Sequence, residues 1–336
     1  MPFIEKIRNY RSLSIVGLEK NTGKTVCLNY ILRRLHEIGI STAVTSIGVD
    51  GEQVDSVYAT AKPEIVLYEG MQFITSQRHY LQRRLVSKIV SVDERRTALG
   101  QLVTAEVLCQ GKALLSGAAT TGILRQQIAQ FKKNNVQLSI VDGALSRLSL
   151  ASPTVTDAMI LATGAAVSPN IQQLVSKTKF VYRLIKLEEI PSSVHHSLNN
   201  ISSGIWGIDS EGVAHDLGVK SVFLLGRGED KLFNYGDTIY AAGAVSDRLL
   251  KYLSSQPNIS KCLLIVQDFT KLFISPEVYS DFTKRGGRIR VMQRSNLVAI
   301  TLNPTSPQGY TLNSSDACST LSEALGCPVY DVLAKH

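Results

Sequence analysis

A glycine, a lysine and a threonine in succession, Gly23-Lys24-Thr25, close a nine-residue loop that opens at Gly17. Each residue type brings one part of phosphate chemistry. Backbone N–H groups in such a turn converge on phosphate oxygens, a lysine ammonium reaches the terminal phosphates, and a threonine hydroxyl ligates Mg²⁺. The dipole of a helix starting at this point adds to the attraction. The residues expected to hold a nucleotide are Gly17, Glu19, Lys20, Asn21 and Thr22 in the loop, then Gly23, Lys24, Thr25 and Val26 where it turns into the helix. Lys24 doubles as the catalytic cation. The usual spacing places the leading glycine at position 18, but Leu18 stands there and the glycine comes one residue earlier.

A cation bound beside phosphates needs a carboxylate at the end of a neighbouring strand. Asp142, after the apolar run Leu138-Ser139-Ile140-Val141 and before Gly143, supplies one. A second acidic group, Asp50-Gly51-Glu52, follows the apolar residues 43–47, with Asp55 nearby. There Asp50 would hold Mg²⁺ through water or orient an attacking water, which makes it the second catalytic candidate. The metal set is therefore Thr25, Asp50 and Asp142.

These side chains must be carried by strands that end on one edge of a sheet. Residues 12–16 form a buried strand, and Val26, Leu28, Ile31, Leu32 and Leu35 mark the apolar face of a helix that Gly39 ends. Strands at 65–68, 113–115, 138–141 and 158–162, with a helix at 123–133, continue the alternation of a parallel sheet covered by helices. The fold class is α/β: a doubly wound, mostly parallel P-loop domain over 1–190, and a second, smaller α/β domain over 204–336. Between them the nearly charge-free stretch 191–203 reads as a linker. The second domain is expected to hold strands at 220–225, 262–267, 289–292 and 298–302, and helices at 238–253, 276–284 and 317–325. The turn-rich segment 303–309 is either a surface loop or a loop facing ligand or partner.

At 336 residues and 44% hydrophobic, the chain can bury two modest cores or one large one. No run reaches the roughly 20 apolar residues of a membrane span, and Glu5, Lys6 and Arg8 interrupt any leader core. A cytoplasmic protein without membrane contact is expected. Five cysteines without a Cys-x-x-Cys pair indicate reduced thiols. Lys and Arg (36) outnumber Asp and Glu (28) for a net +8, but the basic residues come as isolated pairs such as Arg33-Arg34 and Arg95-Arg96, without interleaved aromatics. Nucleic acid is therefore not an expected partner.

Several blocks carry a resemblance. The 17–25 loop has the length and early glycine of the dethiobiotin synthetase and cobyrinic acid amidase branch of P-loop proteins, and Asp142-Gly143-Ala144 resembles the acid-Gly-Ala of its metal-binding strand. Together with Thr45 to Glu52, Val141 to Arg147 and Ser149 to Pro153, the loop is similar to the P-loop subunit of the lysine 5,6-aminomutase reactivase family. That resemblance implies ATP and Mg²⁺ as cofactors, a second reactivase subunit as partner, and an adenosylcobalamin-dependent aminomutase as client, whose damaged cofactor is released. A homodimer is also open to it. Val49 stands where a basic residue is expected. The alternatives are an ATP-dependent small-molecule ligase or kinase of the dethiobiotin synthetase type and a nucleotide-binding scaffold without turnover.

Two histidine patterns are set aside. His36-Glu37-Ile38-Gly39 has half of the cobalamin pattern Asp-x-His-x-x-Gly, but Arg34 replaces the aspartate that would orient the imidazole. His195-His196 are adjacent in the chain, so their side chains diverge.

Overall fold

The computed structural model describes residues 1–47, 64–143, 151–219 and 232–334. The chain forms two compact units, Met1–Lys179 with Asn296–His336, and Phe180–Ser295.

The first unit starts with a short helix, α1 (Phe3–Ile7), and a strand, β1 (Ser12–Gly17), buried at every position. Continuous burial marks a strand with neighbours on both edges and layers on both faces. Helix α2 (Lys24–Glu37) buries Cys27, Leu28, Ile31, Leu32 and Leu35, and Gly39, at φ 72°, lies just beyond its end. There follow β2 (Thr42–Ser46), β3 (Ile65–Leu67), β4 (Gln72–Ser76), α3 (Gln77–Leu81), β5 (Arg84–Thr97), β6 (Gly100–Ala113), α4 (Thr121–Lys133), β7 (Leu138–Asp142) and β8 (Ala158–Gly164). Thr120 caps α4 by accepting from Ile123 N. Helix α5 (Ile171–Ile185) carries the chain onward into the second unit.

The second unit contains α6 (Ser192–Leu198), β9 (Ile205–Ile208), β10 (Ala214–Val219), β11 (Thr238–Ala241), β12 (Val245–Ser246), α7 (Asp247–Ser254), β13 (Leu263–Val266), β14 (Leu272–Phe273), α8 (Pro276–Lys284) and β15 (Arg288–Val291). Its main sheet runs β10-β9-β11-β13-β15, with β11, β13 and β15 parallel and β9–β10 an antiparallel hairpin. Ile190, Leu198, Ile208, Tyr240, Ile265 and Met292 fill its core.

The chain then returns to the first unit with β16 (Asn296–Asn303), α9 (Ser314–Leu325) and β17 (Val329–Tyr330). The first sheet has the order β17-β16-β8-β1-β7-β2-β4-β6-β3, with β5 paired to β6. Every pairing from β17 to β4 is parallel, and β3, β5 and β6 are antiparallel additions. The result is an α/β unit with a large, mixed, mostly parallel sheet. Because β1 lies between β7 and β8 and is parallel to both, the carboxyl ends of the three strands lie on one edge of the sheet.

Several expectations differ from the structure. The boundary at 190 and the C-terminal domain 204–336 do not match the observed division, because β16 pairs with β8 over seven residue pairs and draws 296–336 into the first unit. The stretch 191–203 is not a bare linker: α6 lies in it, and Val194, Leu198 and Ile201, at helical spacing, pack on the second core. The helix expected over 238–253 is a strand followed by a helix, since Thr238–Ala241 pairs with β13 before α7 begins at Asp247. Of the strand expected at 113–115 only Ala113 is in a strand, as the last residue of the long β6, and the 14-residue β5 beside it has no counterpart in the expectations. The strand expected at 220–225 lies outside the described residues.

Candidate functional site

The 17–25 loop leaves β1 and enters α2 through two residues with positive φ, Asn21 at 61° and Gly23 at 85°. Gly23 is the helix N-cap and offers no side chain, so the first amides of α2 are not capped from that position. A Cβ on Gly23 would come within 2.7 Å of Asn303 Cβ, and one on Gly17 would overlap Thr22 Oγ1 and meet Lys24 Nζ at 3.0 Å. Both glycines are thus required by close approach. Leu18, in the position expected to be glycine, is buried, and its N–H donates to Ala162 O at 2.9 Å, extending the pairing with β8. The loop is braced from within: Thr22, itself buried, donates through Oγ1 to Glu19 O at 3.0 Å, and Lys24 Nζ lies 3.4 Å from the same carbonyl.

Asp142 ends β7 beside this loop. It is the register partner of Ile15 on β1 and of Ser46 on β2. Its main chain is pinned: Ser46 Oγ donates to Asp142 O at 3.3 Å, and Gly143 N donates to Ile15 O at 3.1 Å. Burial lowers the Lys24 pKa from its ordinary value; the Asp142 carboxylate opposes that shift and Lys20 adds to it. The expected cation and the expected metal-binding acid are therefore electrostatic neighbours.

Thr25, on the first turn of α2, and Asp142, at the end of β7, supply hard oxygen donors suited to Mg²⁺, which takes one or two protein oxygens and completes its shell with phosphate and water. Among the described residues no group of three or more His, Cys, Asp and Glu is placed to hold a metal ion. Asp50 lies outside the described residues, as do Asp55 and residues 144–150. Val26 packs against the first core, which leaves only its backbone to face the 17–25 loop side.

The segment 303–309, left open between a surface loop and a loop facing ligand or partner, contacts the 17–25 loop. Asn303, at the end of β16, donates from Nδ2 to Asn21 O at 3.2 Å, while its own carbonyl accepts from Ala165 N at 2.8 Å. Tyr310 OH donates to Ala165 O at 2.6 Å. These bonds join segment 303–310 to the loop after β8 and both to the 17–25 loop, so 303–309 borders the candidate site. A β-rich run ending in Asn-Pro was the available signal, but nothing local revealed that β16 rejoins the first sheet. Of the histidines set aside, His36 stacks on Tyr68 with ring centroids 4.8 Å apart, and His195-His196 lie in α6 of the second unit.

Comparison of the chain with protein-family models, with curated proteins and with solved structures finds no match.

Proposed function

We propose that the chain is a Mg-ATP-binding P-loop protein of doubly wound fold and that it serves as the P-loop subunit of a reactivase for a cobalamin-dependent lysine 5,6-aminomutase. The observation that carries the nucleotide part is the position of Lys24 beside Asp142, on a loop whose Gly17 and Gly23 leave room only for backbone. Amides of the loop and of the first turn of α2 would bind the phosphates. Lys24 would neutralise charge on the terminal phosphates, and Thr25 and Asp142 would hold the cation. When bound, Mg²⁺ would supply charge neutralisation for the phosphates. Asp50 is assigned to orienting the attacking water.

The client rests on the sequence resemblance. A nucleotide-dependent change of shape would be passed to a second reactivase subunit and to the client, which then exchanges its damaged cofactor. A reconstitution assay tests this. The chain alone should hydrolyse ATP slowly, and with its partner subunit, Mg²⁺, ATP and fresh cofactor it should restore an inactivated aminomutase. Reactivation that proceeds equally well without ATP would remove the nucleotide from the mechanism. Turnover of a small carboxylate or amine in place of reactivation would favour a ligase or kinase.

A further inference from the structure

The loop read as a polyanion site contains an anion of its own. Glu19 stands among the residues that would surround the phosphates, and its main chain is central to the loop, since its carbonyl meets both Thr22 Oγ1 and Lys24 Nζ. An unneutralised carboxylate so placed repels a triphosphate, and the repulsion grows with the ligand's charge.

The structure supplies a neutralising partner from another element. Lys177, in the second turn of α5, has its Nζ 3.5 Å from Glu19 Oε1. The same ammonium donates to Val167 O at 3.0 Å, on the segment that joins β8 to α5. Val167 is fixed in turn, being buried and donating from N to Gly164 O at 2.9 Å. One ammonium therefore ties the loop after β8 to the phosphate-binding loop. The two side chains are 54% and 47% exposed, so the pair adds little to folding stability. Its effect is felt by a charged ligand held close by.

We infer that Lys177 is a positioning residue for nucleotide phosphates: it neutralises Glu19 and keeps that carboxylate turned to the β8–α5 side, so that the loop presents net positive charge to the ligand. This inference rests on the nucleotide reading above. It makes the charge on Glu19, and not the shape of Lys177, the cause of any loss when Lys177 is removed.

The test is a set of titrations of the full chain with ATP, ADP and AMP, without Mg²⁺, for wild type, Lys177→Met, Glu19→Gln, the double variant and Lys177→Arg. Lys177→Met should weaken ATP about tenfold, ADP less and AMP least, because the exposed carboxylate acts on each phosphate charge. Raising the salt concentration should shrink the difference. Lys177→Arg should bind as wild type does, and the double variant should recover most of the lost ATP affinity. Equal losses for all three nucleotides, no recovery in the double variant, or unchanged binding in Lys177→Met would each overturn the inference while the nucleotide reading stands. A wild-type chain that binds none of the three would overturn both.

Discussion

Ile15 on β1 and Asp142 on β7 are direct partners in adjacent parallel strands, so the acid reaches the sheet's carboxyl edge beside the loop that starts at Gly17. Both halves of the candidate site are thus held by the most buried part of the first unit, where Leu13, Ile15, Ile140 and Val141 are completely enclosed. Strand pairing sets their spacing.

Gly17 and Leu18 should respond to substitution in opposite ways. Gly17→Ala places a methyl group against Thr22 Oγ1 and Lys24 Nζ, so nucleotide binding should be lost at a stability cost of about 1–3 kcal/mol. Leu18→Gly removes a buried side chain and keeps the backbone path, so it should cost about 2–5 kcal/mol of stability with nucleotide affinity largely kept. Thermal melts paired with ATP titrations check this. The reverse pattern would mean that position 18 shapes the phosphate site.

Asp142→Asn should weaken ATP binding in the presence of Mg²⁺ more than in its absence, because it removes charge from the cation's shell and no contact to phosphate. Titrations with and without the metal decide. Equal losses in both would point to a disturbed fold.

The pH dependence of metal-free ATP binding follows from Lys24. Its folded pKa is lowered, first by burial, so its charged form is strained below that pKa and the strain is relieved as pH rises through it. Phosphate binding has the opposite sign, since it needs the ammonium. Affinity should therefore fall as pH rises, and sooner than for an ordinary lysine. Asp142 raises the Lys24 pKa, so in Asp142→Asn the fall should begin at lower pH. A midpoint unmoved by that substitution would separate the two residues.

Thiol labelling reports on packing. Burial pushes the Cys27 and Cys262 thiols up to about 12, whereas Cys109 is exposed. Under native conditions an alkylating reagent should modify Cys109 first and reach Cys27 and Cys262 only on unfolding. Mass spectrometry of the labelled chain checks the order, and early modification of Cys27 would mean that α2 opens readily.

The local parts of this account were legible in the sequence. Strand, turn and helix at 12–37 follow from an apolar run, a glycine-bounded turn and helical spacing, because each signal lies within a few residues of the element it specifies. What was not legible depended on pairing between distant segments. Val298 to Leu302 reads as a strand in any context, but nothing nearby says that it joins β8 and brings Asn303 to the loop. Likewise Lys177 looks like one more surface lysine of an amphipathic helix until Glu19 is placed beside it. In β5, exposed Val86, Ile89, Val90 and Val92 mix with charges and register shifts, which blurs the alternation of an ordinary strand.

The central claim is that the 17–25 loop binds Mg-ATP, and calorimetric titration of the wild-type chain and the Lys24→Ala variant tests it most directly. Wild type should bind, and Lys24→Ala should lose binding while its thermal melt stays close to wild type, because the change removes the cation aimed at the terminal phosphates and little of the core. Wild-type affinity in a folded Lys24→Ala variant would contradict the account.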